Sequence, residues 1–190
     1  REDHGYRRYI HLGTGNYHPR TTRFYTDFGL LTSNTEIGDD VNEVFKQLTG
    51  LGKATALKHL WQAPFSLHSK MLAAIHAETE AALAGEPARI IAKMNSLLEP
   101  EISIDLIVRG VCSLRPGVKG LSENIRVRSV IGRFLEHHRI FYFHAGGKQN
   151  IYLSSADWME RNFFRRIEIS FPVLEAKLKR RVLKEGLKPY

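Results

Sequence analysis

The sequence predicts an α/β fold in which a sheet is flanked by helices. Short apolar segments alternate with longer amphipathic segments along the 190 residues, which is typical of this class. Over 102–108, apolar residues at every second position alternate with Ser103 and Asp105, as in a strand. A hydrophobic content of 43% with 25% charged residues is ordinary for a globular protein, and the length suits one or two domains.

The first part of the chain predicts two strands and one helix. Tyr9–Leu12 is a short strand that feeds a Gly-Thr-Gly turn, and Phe28–Leu31 is a second apolar run. Asp39 and Asp40 are expected to cap a helix that ends at Gly50. The segment 51–57 is typical of a linker, so we expect a domain boundary near residue 58.

The second part predicts a larger set of strands around a strong helix. Ser66 is expected to cap this helix and Gly85 to end it. Pro172 is expected to open a basic carboxy-terminal helix. Strands are predicted at His59–Pro64, Arg89–Met94, 102–108, Ile140–Phe143, Ile151–Leu153 and Ile167–Phe171.

The join between two of these strands is unusually short. The segment 97–101 runs directly into the strand at 102–108, whereas parallel neighbours need a crossover of about a dozen residues or more. Either the two strands do not pair in parallel or a helix is missing, and we expect an internal gap near residues 101–102. The chain also begins without methionine, one step from a strand, so we interpret residue 1 as the start of a fragment or of an ordered region.

The charge balance indicates an anionic partner. Lys and Arg number 28 against 20 Asp and Glu, a net charge of +8, although a merely basic protein is an equally good interpretation. Cys112 is the sole cysteine, which excludes an internal disulfide and favours a reducing compartment. The sequence contains neither a signal peptide nor an apolar run of membrane-spanning length. We therefore expect a cytoplasmic protein, with peripheral membrane contact left open.

His137 is the strongest candidate for chemistry. It precedes Arg139 by two positions and Ser154 by 17, and His-x-Arg followed by a small hydroxyl turn is similar to half of a phospholipase D superfamily site. An imidazole can transfer a proton near neutral pH, and a neighbouring cation can hold phosphoryl oxygens. The alternative is a surface histidine pair in a polar turn.

Further candidates are a glycine turn, a tyrosine and two arginines. Gly13–Asn16 could form a backbone anion nest, and Tyr25 follows it closely, with half-buried packing as its alternative role. Arg109 ends an apolar strand, where α/β ligand sites lie, and could grip a phosphate or form a structural ion pair. Arg166 precedes the strand Ile167–Phe171. The sequence has no Walker A loop, GxGxxG motif or zinc-type Cys/His cluster.

Four blocks together look like the carboxy-terminal region of polyphosphate kinases of the first, histidine-phosphorylating family. They are HLGTGNYHPRTTRFYTDFGLLT, IIAKMNSLLEP, IDLIVRGVCSLRPGVKGLSENIRVRSVIGRFLEHHR and YLSSADWMERNFFRRIE. The resemblance implies a phospholipase D-like mixed sheet flanked by helices. It also implies an incomplete first domain at 1–57 and a nearly complete second domain at 58–190.

The resemblance implies an activity, namely reversible transfer of the ATP γ-phosphate to polyphosphate through a phosphohistidine. Tyr25, Arg109 and His137 match nucleotide-binding positions, His137 also matches an acid–base partner, and Arg166 matches an arginine lining the phosphate site. ATP or ADP and polyphosphate are the expected partners. A homo-oligomer is expected, and nucleic acid is not.

The resemblance also implies what this chain lacks. In the family, the phosphorylated histidine lies in a Lys-x-His-x-Lys motif shortly before the HLGTGN block, so His11 is not that residue. The magnesium-contacting arginines lie upstream as well. We expect Mg²⁺ to accompany ATP with its ligands outside this chain, no metal ligand within it, and no activity from the chain alone.

Two alternatives from other functional classes stay open. A phospholipase D-like phosphodiesterase or nuclease would carry a lysine two residues after the histidine, where this chain has Arg139. A non-catalytic polyanion-binding module would need the arginines but not the imidazole of His137.

Overall fold

The computed structural model describes residues 5–50, 56–95, 104–110, 112–120 and 122–188. The part before the predicted boundary contains strands β1 (Ile10–Gly13), β2 (Tyr25–Thr26) and β3 (Gly29–Thr32), followed by helix α1 (Thr35–Leu48). β1 and β3 form an antiparallel ribbon. A single 3₁₀ turn, Thr21–Arg23, precedes β2.

The rest of the described chain forms a seven-stranded mixed sheet with helices on its faces. Its strands and helices are β4 (Trp61–Ala63), α2 (Leu67–Leu83), β5 (Ile90–Met94), β6 (Ile104–Val108), β7 (Arg126–Arg128), β8 (Leu135–Glu136), β9 (Arg139–Phe143), β10 (Asn150–Ser154), α3 (Glu160–Phe164), β11 (Glu168–Pro172) and α4 (Ala176–Val182). A π-helical turn, Leu183–Leu187, continues α4. These elements confirm the predicted α/β class.

The sheet order is β4-β11-β10-β9-β5-β6-β7. β5, β6 and β7 are parallel, whereas the other neighbours are antiparallel. As a result, β5, β6 and β10 end at the same edge at which β9 and β11 begin. We call this the front edge. Side chains at these five strand ends therefore lie on one side of the molecule.

Both faces of the sheet are covered. α2 packs Leu67, Met71 and Ile75 onto one face, against Phe141 and Phe143 of β9. On the other face, Ile140 and Phe171 pack with Val44 of α1 and Val182 of α4 in a second apolar cluster. The segments before and after residue 57 therefore share this second core.

The start of α1 differs from the sequence prediction. Asn34 caps the helix by accepting the Ile37 N–H at 3.0 Å, so the predicted capping by Asp39 and Asp40 is wrong. Asp40 is buried instead, and its carboxylate accepts the backbone N–H groups of residues 58–60 at 2.6–2.9 Å. Asp40 thus holds α1 against the chain entering β4.

The carboxy-terminal helix also begins later than predicted. Pro172 is the last residue of β11 and pairs with Tyr152, and α4 begins at Ala176. Ser66 does precede α2, but its side chain makes no capping bond and instead accepts the Gln62 N–H at 3.2 Å. α2 ends at Leu83, and Gly85 follows in the left-handed conformation at φ +73°, as the sequence prediction required.

β5 and β6 pair in parallel, in register from Ile90↔Ile104 to Met94↔Val108. Of the two alternatives that the short join left open, the one without parallel pairing is therefore wrong. The join at 96–103 lies outside the described residues, so the internal gap near 101–102 stays a prediction. Residues 51–55 of the predicted linker lie outside them as well.

Candidate functional site

His137 lies on the front edge, between β8 and β9, in contact with residues from the first part of the chain. Its Nδ1 is 3.0 Å from Asp27 Oδ1, and its ring stacks on Tyr25 with centroids 4.7 Å apart. β2 and β8 create this contact, because they pair in parallel at Tyr25↔Leu135 and Thr26↔Glu136. Since a carboxylate only accepts, Nδ1 carries the proton and Nε2 is left with its lone pair.

The Gly13–Asn16 turn positions Asp27. Thr14 is buried, and its hydroxyl donates to Asp27 Oδ1 at 2.7 Å, while the Phe28 N–H donates back to that hydroxyl at 3.0 Å. A Cβ on Gly15 would overlap the Asp27 carboxylate, so this turn requires glycine for close approach. The Thr14 N–H is bonded to the Phe28 carbonyl at 3.0 Å, which removes it from an anion nest.

Arg139 is buried and does not present a free cation to a ligand. Its guanidinium binds the buried Asp157 in a bidentate pair, with Nε–Oδ1 at 3.1 Å and Nη2–Oδ2 at 3.0 Å. Nη1 donates to the Thr14 carbonyl at 3.2 Å and to His137 Nε2 at 3.0 Å. The prediction that this neighbouring cation holds phosphoryl oxygens directly is thus wrong for the geometry described: Arg139 orients His137.

Arg139 also joins two turns that are far apart in the sequence. Gly13–Asn16 supplies the Thr14 carbonyl and the Ser-Ser-Ala-Asp turn after β10 supplies the Asp157 carboxylate. The hydroxyls of the second turn bond within the protein, Ser154 to Ser170 at 2.6 Å and Ser155 to Glu168. The two turns therefore share a structural role around one guanidinium.

A groove of about 350 Å³ opens beside this network. Tyr25 and Arg109 both line it, and Arg109 is exposed at the carboxyl end of β6. Its other lining residues come from Phe24 and the segment 130–135, including Arg133 and Phe134. Tyr25 lines the groove and stacks on His137, so this ring connects the groove to the imidazole, which is not itself among the lining residues.

Arg166 lies on the same edge but not in this groove. It is exposed just before β11, with Nη1 4.0 Å from Glu168 Oε1, and it is absent from the groove lining. Four strand spacings separate β11 from β6, about 19 Å at the usual spacing. The structure therefore brings Tyr25, Arg109 and His137 together and places Arg166 at the far end of the front edge, with His137 between the two arginines.

A polar cluster formed by Lys93, Glu136 and His138 supports β8. Lys93 of β5 is 3% exposed, and its ammonium pairs with Glu136 and donates to the Gly186 carbonyl at 3.2 Å. His138 donates from Nδ1 to the Thr26 carbonyl at 3.2 Å. Burial, reinforced by Lys93, lowers the pKa of His138 to about 4, so this imidazole is neutral at physiological pH. Burial also lowers the pKa of Lys93, against the attraction of Glu136.

Sequence reasoning assigned no role to Asp27, Asp157 or Lys93. Asp27 had a usable signal, because it follows Tyr25 by two positions, and alternate residues of an extended segment share a side. Asp157 and Lys93 had no such signal in the sequence, since the partner of each comes close only through the order of the strands in the sheet.

Two kinds of feature are absent from the described residues, a cluster of metal-binding side chains and a membrane-spanning helix. Groups of three or more His, Cys, Asp or Glu side chains placed to hold a metal ion are absent from the described part of the chain. None of the helices in the described ranges combines the length and the apolar character that are needed to span a bilayer.

Comparison with known proteins identifies the family. Residues 1–54 match the family described as polyphosphate kinase C-terminal domain 1, and residues 60–187 match polyphosphate kinase C-terminal domain 2. The polyphosphate kinase of Paraburkholderia phytofirmans is 62% identical over 196 residues, which cover 97% of this chain and 28% of that protein. The polyphosphate kinase of Burkholderia cenocepacia is 62% identical over 193 residues, covering 95% of this chain and 28% of the relative.

A solved structure agrees with these sequence matches. The crystal structure of polyphosphate kinase from Porphyromonas gingivalis superimposes with a TM-score of 0.88 at 36% identity, covering 94% of this chain and 29% of that one. The fold is therefore the phospholipase D-like mixed sheet of polyphosphate kinase carboxy-terminal domains, as predicted. This chain belongs to the polyphosphate kinase family. It spans about 28% of the length of the curated relatives that it matches.

Proposed function

We propose that the protein carrying this chain is an ATP–polyphosphate phosphotransferase, a polyphosphate kinase, and that this chain supplies part of its nucleotide and phosphate site. The observation that carries the proposal is the contact of His137 with Asp27 and Tyr25, beside a groove lined by Arg109, in a chain of this family. Phosphoryl transfer depends on positioning and charge stabilisation, which such an arrangement can provide.

The transfer takes place in two reversible steps. A histidine outside this chain attacks the ATP γ-phosphorus, so that an N–P bond forms, the bond from phosphorus to the β,γ-bridging oxygen breaks, and ADP leaves. The terminal oxygen of a polyphosphate chain then attacks the same phosphorus. An O–P bond forms, the N–P bond breaks, and the polymer is longer by one phosphate.

His137 acts as the acid–base partner in this proposal. Asp27 and Arg139 hold its ring from both sides, and Nε2 is the nitrogen free of the carboxylate. A phosphoryl oxygen that reaches Nε2 takes the place of Arg139 Nη1. When protonated, Nε2 can donate to the oxygen of a leaving phosphate, while the Asp27 carboxylate stabilises the imidazolium.

The front edge offers a path for an extended anion. Tyr25 and Arg109 would bind the nucleotide in the groove, and Arg166 would contact phosphates about 19 Å away, four strand spacings along the edge. Arginine suits this role, because its planar donors match phosphate oxygens in pairs.

The remaining proposals concern the whole protein. Mg²⁺ would arrive with the ATP phosphates, with its ligands outside this chain. ATP or ADP and polyphosphate are the proposed partners, in a homo-oligomer in the bacterial cytoplasm. The described residues leave peripheral membrane contact open, and nucleic acid is not an expected ligand.

The test is a direct assay of the full-length protein. Incubation with ATP and Mg²⁺ should yield an acid-labile phosphoprotein and an acid-insoluble phosphate polymer. A phosphodiesterase would give neither product. A polyanion-binding module would bind polyphosphate without making it, and Arg109→Ala would then lower both the affinity and its salt dependence.

A further inference from the structure

The deeply buried Lys93 lies on the face of β5 that is opposite α2. The apolar cluster on this face includes Ile140 and Phe28, so an ammonium group here is costly unless it is well paired. Lys93 joins two segments that are distant in the sequence: Glu136 at the end of β8, and Gly186 in the π-helical turn. Its contacts thus lead directly to the residue preceding His137.

The strands that present the imidazole need such support. β2 and β8 share only two residue pairs, Tyr25↔Leu135 and Thr26↔Glu136, and a ladder this short is not stable by itself. Beyond the ladder, the Thr26 carbonyl accepts the backbone N–H groups of His137 and His138, both at 3.1 Å. The positions of Tyr25, Asp27 and His137 therefore depend in part on the contacts that hold Glu136, such as its pair with Lys93.

We propose that Lys93 is a positioning residue for the phosphoryl-transfer site, holding the β2–β8 ladder through Glu136 and joining it to the carboxy-terminal turn through Gly186. The inference rests on the proposed function. Lys93 does not line the groove, and its ammonium pairs with Glu136, the residue that precedes His137. Its effect should therefore fall on the rate of transfer more than on nucleotide binding.

The carboxy-terminal turn approaches closely enough to take part. A Cβ on Gly186 would overlap Ile140 Cδ1 and lie 3.2 Å from the Phe28 ring, so glycine is what allows its carbonyl to reach the lysine. This contact places the carboxy-terminal turn against Ile140 of β9, the strand that follows His137. Gly186→Ala should weaken the same support from the opposite side.

A double-mutant cycle in the full-length protein tests the inference. Lys93→Met keeps an unbranched side chain of nearly the same length and removes one charge of the pair, and Glu136→Gln removes the opposite charge. Each single variant should lower kcat on the order of 10–100-fold, with KM for ATP changed less than about threefold. The double variant, in which both charges of the pair are removed, should recover part of that loss.

Lys70→Met is the matched control. Lys70 also donates to backbone carbonyls, those of Leu57 at 3.0 Å and Leu60 at 3.5 Å, but it lies on α2 away from the ladder. This variant should keep the wild-type kcat. If Lys93→Met is folded and keeps the wild-type kcat, or if the losses of the two single variants simply add in the double variant, the positioning role is wrong.

The same assays separate this inference from the proposed function. If wild-type protein makes no polymer from ATP, the proposed function fails whatever the variants do. If wild-type protein makes polymer and the Lys93 and Lys70 variants behave alike, only the positioning role fails. Should Lys93→Met not fold, Gly186→Ala provides the second test, with the same expected loss of kcat and the same overturning result.

Discussion

Asp27 and His137 lie 110 positions apart in the sequence, yet a hydrogen bond of 3.0 Å joins Asp27 Oδ1 to His137 Nδ1. The bond spans the predicted domain boundary, and a two-residue parallel ladder between β2 and β8 makes it geometrically available. It fixes the imidazole tautomer and directs Nε2 away from the carboxylate, which makes it the relationship on which the acid–base role of His137 depends.

The first prediction concerns this carboxylate. An asparagine at position 27 could turn its amide N–H toward Nδ1 and so favour the tautomer with the proton on Nε2. We expect Asp27→Asn in the full-length protein to lower kcat for polymer synthesis on the order of 100-fold. Asp39→Asn, which removes an exposed carboxylate paired with Arg8, should leave the rate unchanged. Equal rates for the two variants would contradict the role of Asp27.

The second prediction concerns the glycine turn. Gly15→Ala introduces a methyl group into the space of the Asp27 carboxylate, which must then move away from Thr14 and His137. Initial rates of polymer synthesis should fall by about tenfold or more. Gly38→Ala in α1 is the control, since its methyl would come no closer than 3.3 Å to a neighbour, the end of the Ile10 side chain. A fully active Gly15→Ala variant would show that the carboxylate position is unimportant.

The third prediction concerns stability. Arg139→Met removes a cation whose side chain is 8% exposed and leaves Asp157, whose side chain is 7% exposed, without its partner. Breaking a buried pair on one side costs about 3–5 kcal/mol, which corresponds to a fall of about 6–20 °C in the unfolding midpoint of this region. Calorimetry of the full-length protein measures it. Arg165→Met breaks an exposed pair with Glu160 and should hardly move the midpoint.

The fourth prediction concerns pH. His138 has a pKa of about 4 in the folded protein against an ordinary 6.5, so the unfolded chain binds its proton more readily. The stability from this site is present above about pH 6.5 and is lost as the pH falls toward about 4. Between about pH 7 and about pH 5 the loss should be about 2 kcal/mol, followed by denaturant titration. His138→Asn should lack this component, and an unchanged pH dependence in the variant would exclude His138 as its source.

Local patterns predicted the elements of the fold better than their ends. The strands predicted at 102–108 and Ile140–Phe143 and the helix after Ser66 depend on periodicity and on glycine stops, which are properties of neighbouring residues. They are confirmed, the first of them over its described part, Ile104–Val108. The helix caps were wrong where tertiary contacts decided them. Asp40 could have capped a helix, but three backbone N–H groups from residues 58–60 bind its carboxylate more fully.

In the candidate site, too, local patterns predicted some of the residues, and tertiary contacts decided the roles of the others. Motif spacing was enough to single out His137, Tyr25 and Arg109, which the structure brings together. Spacing also singled out Arg139, but not its buried pair with Asp157. That pair, the contact of Asp27 with His137 and the support from Lys93 depend on which strands are neighbours, and local patterns do not determine this order. The strands β2 and β8 have two residues each, which is too few to show a periodic pattern in the sequence.

The most direct test of the central claim is polymer synthesis by full-length protein carrying His137→Gln, measured with ATP and Mg²⁺ beside the wild type. The claim predicts that the wild type makes polymer, and that the variant folds with an unchanged unfolding midpoint but makes polymer on the order of 100-fold more slowly. A variant that elongates polyphosphate at the wild-type rate would contradict the acid–base role of His137 and leave the front edge as a binding surface alone.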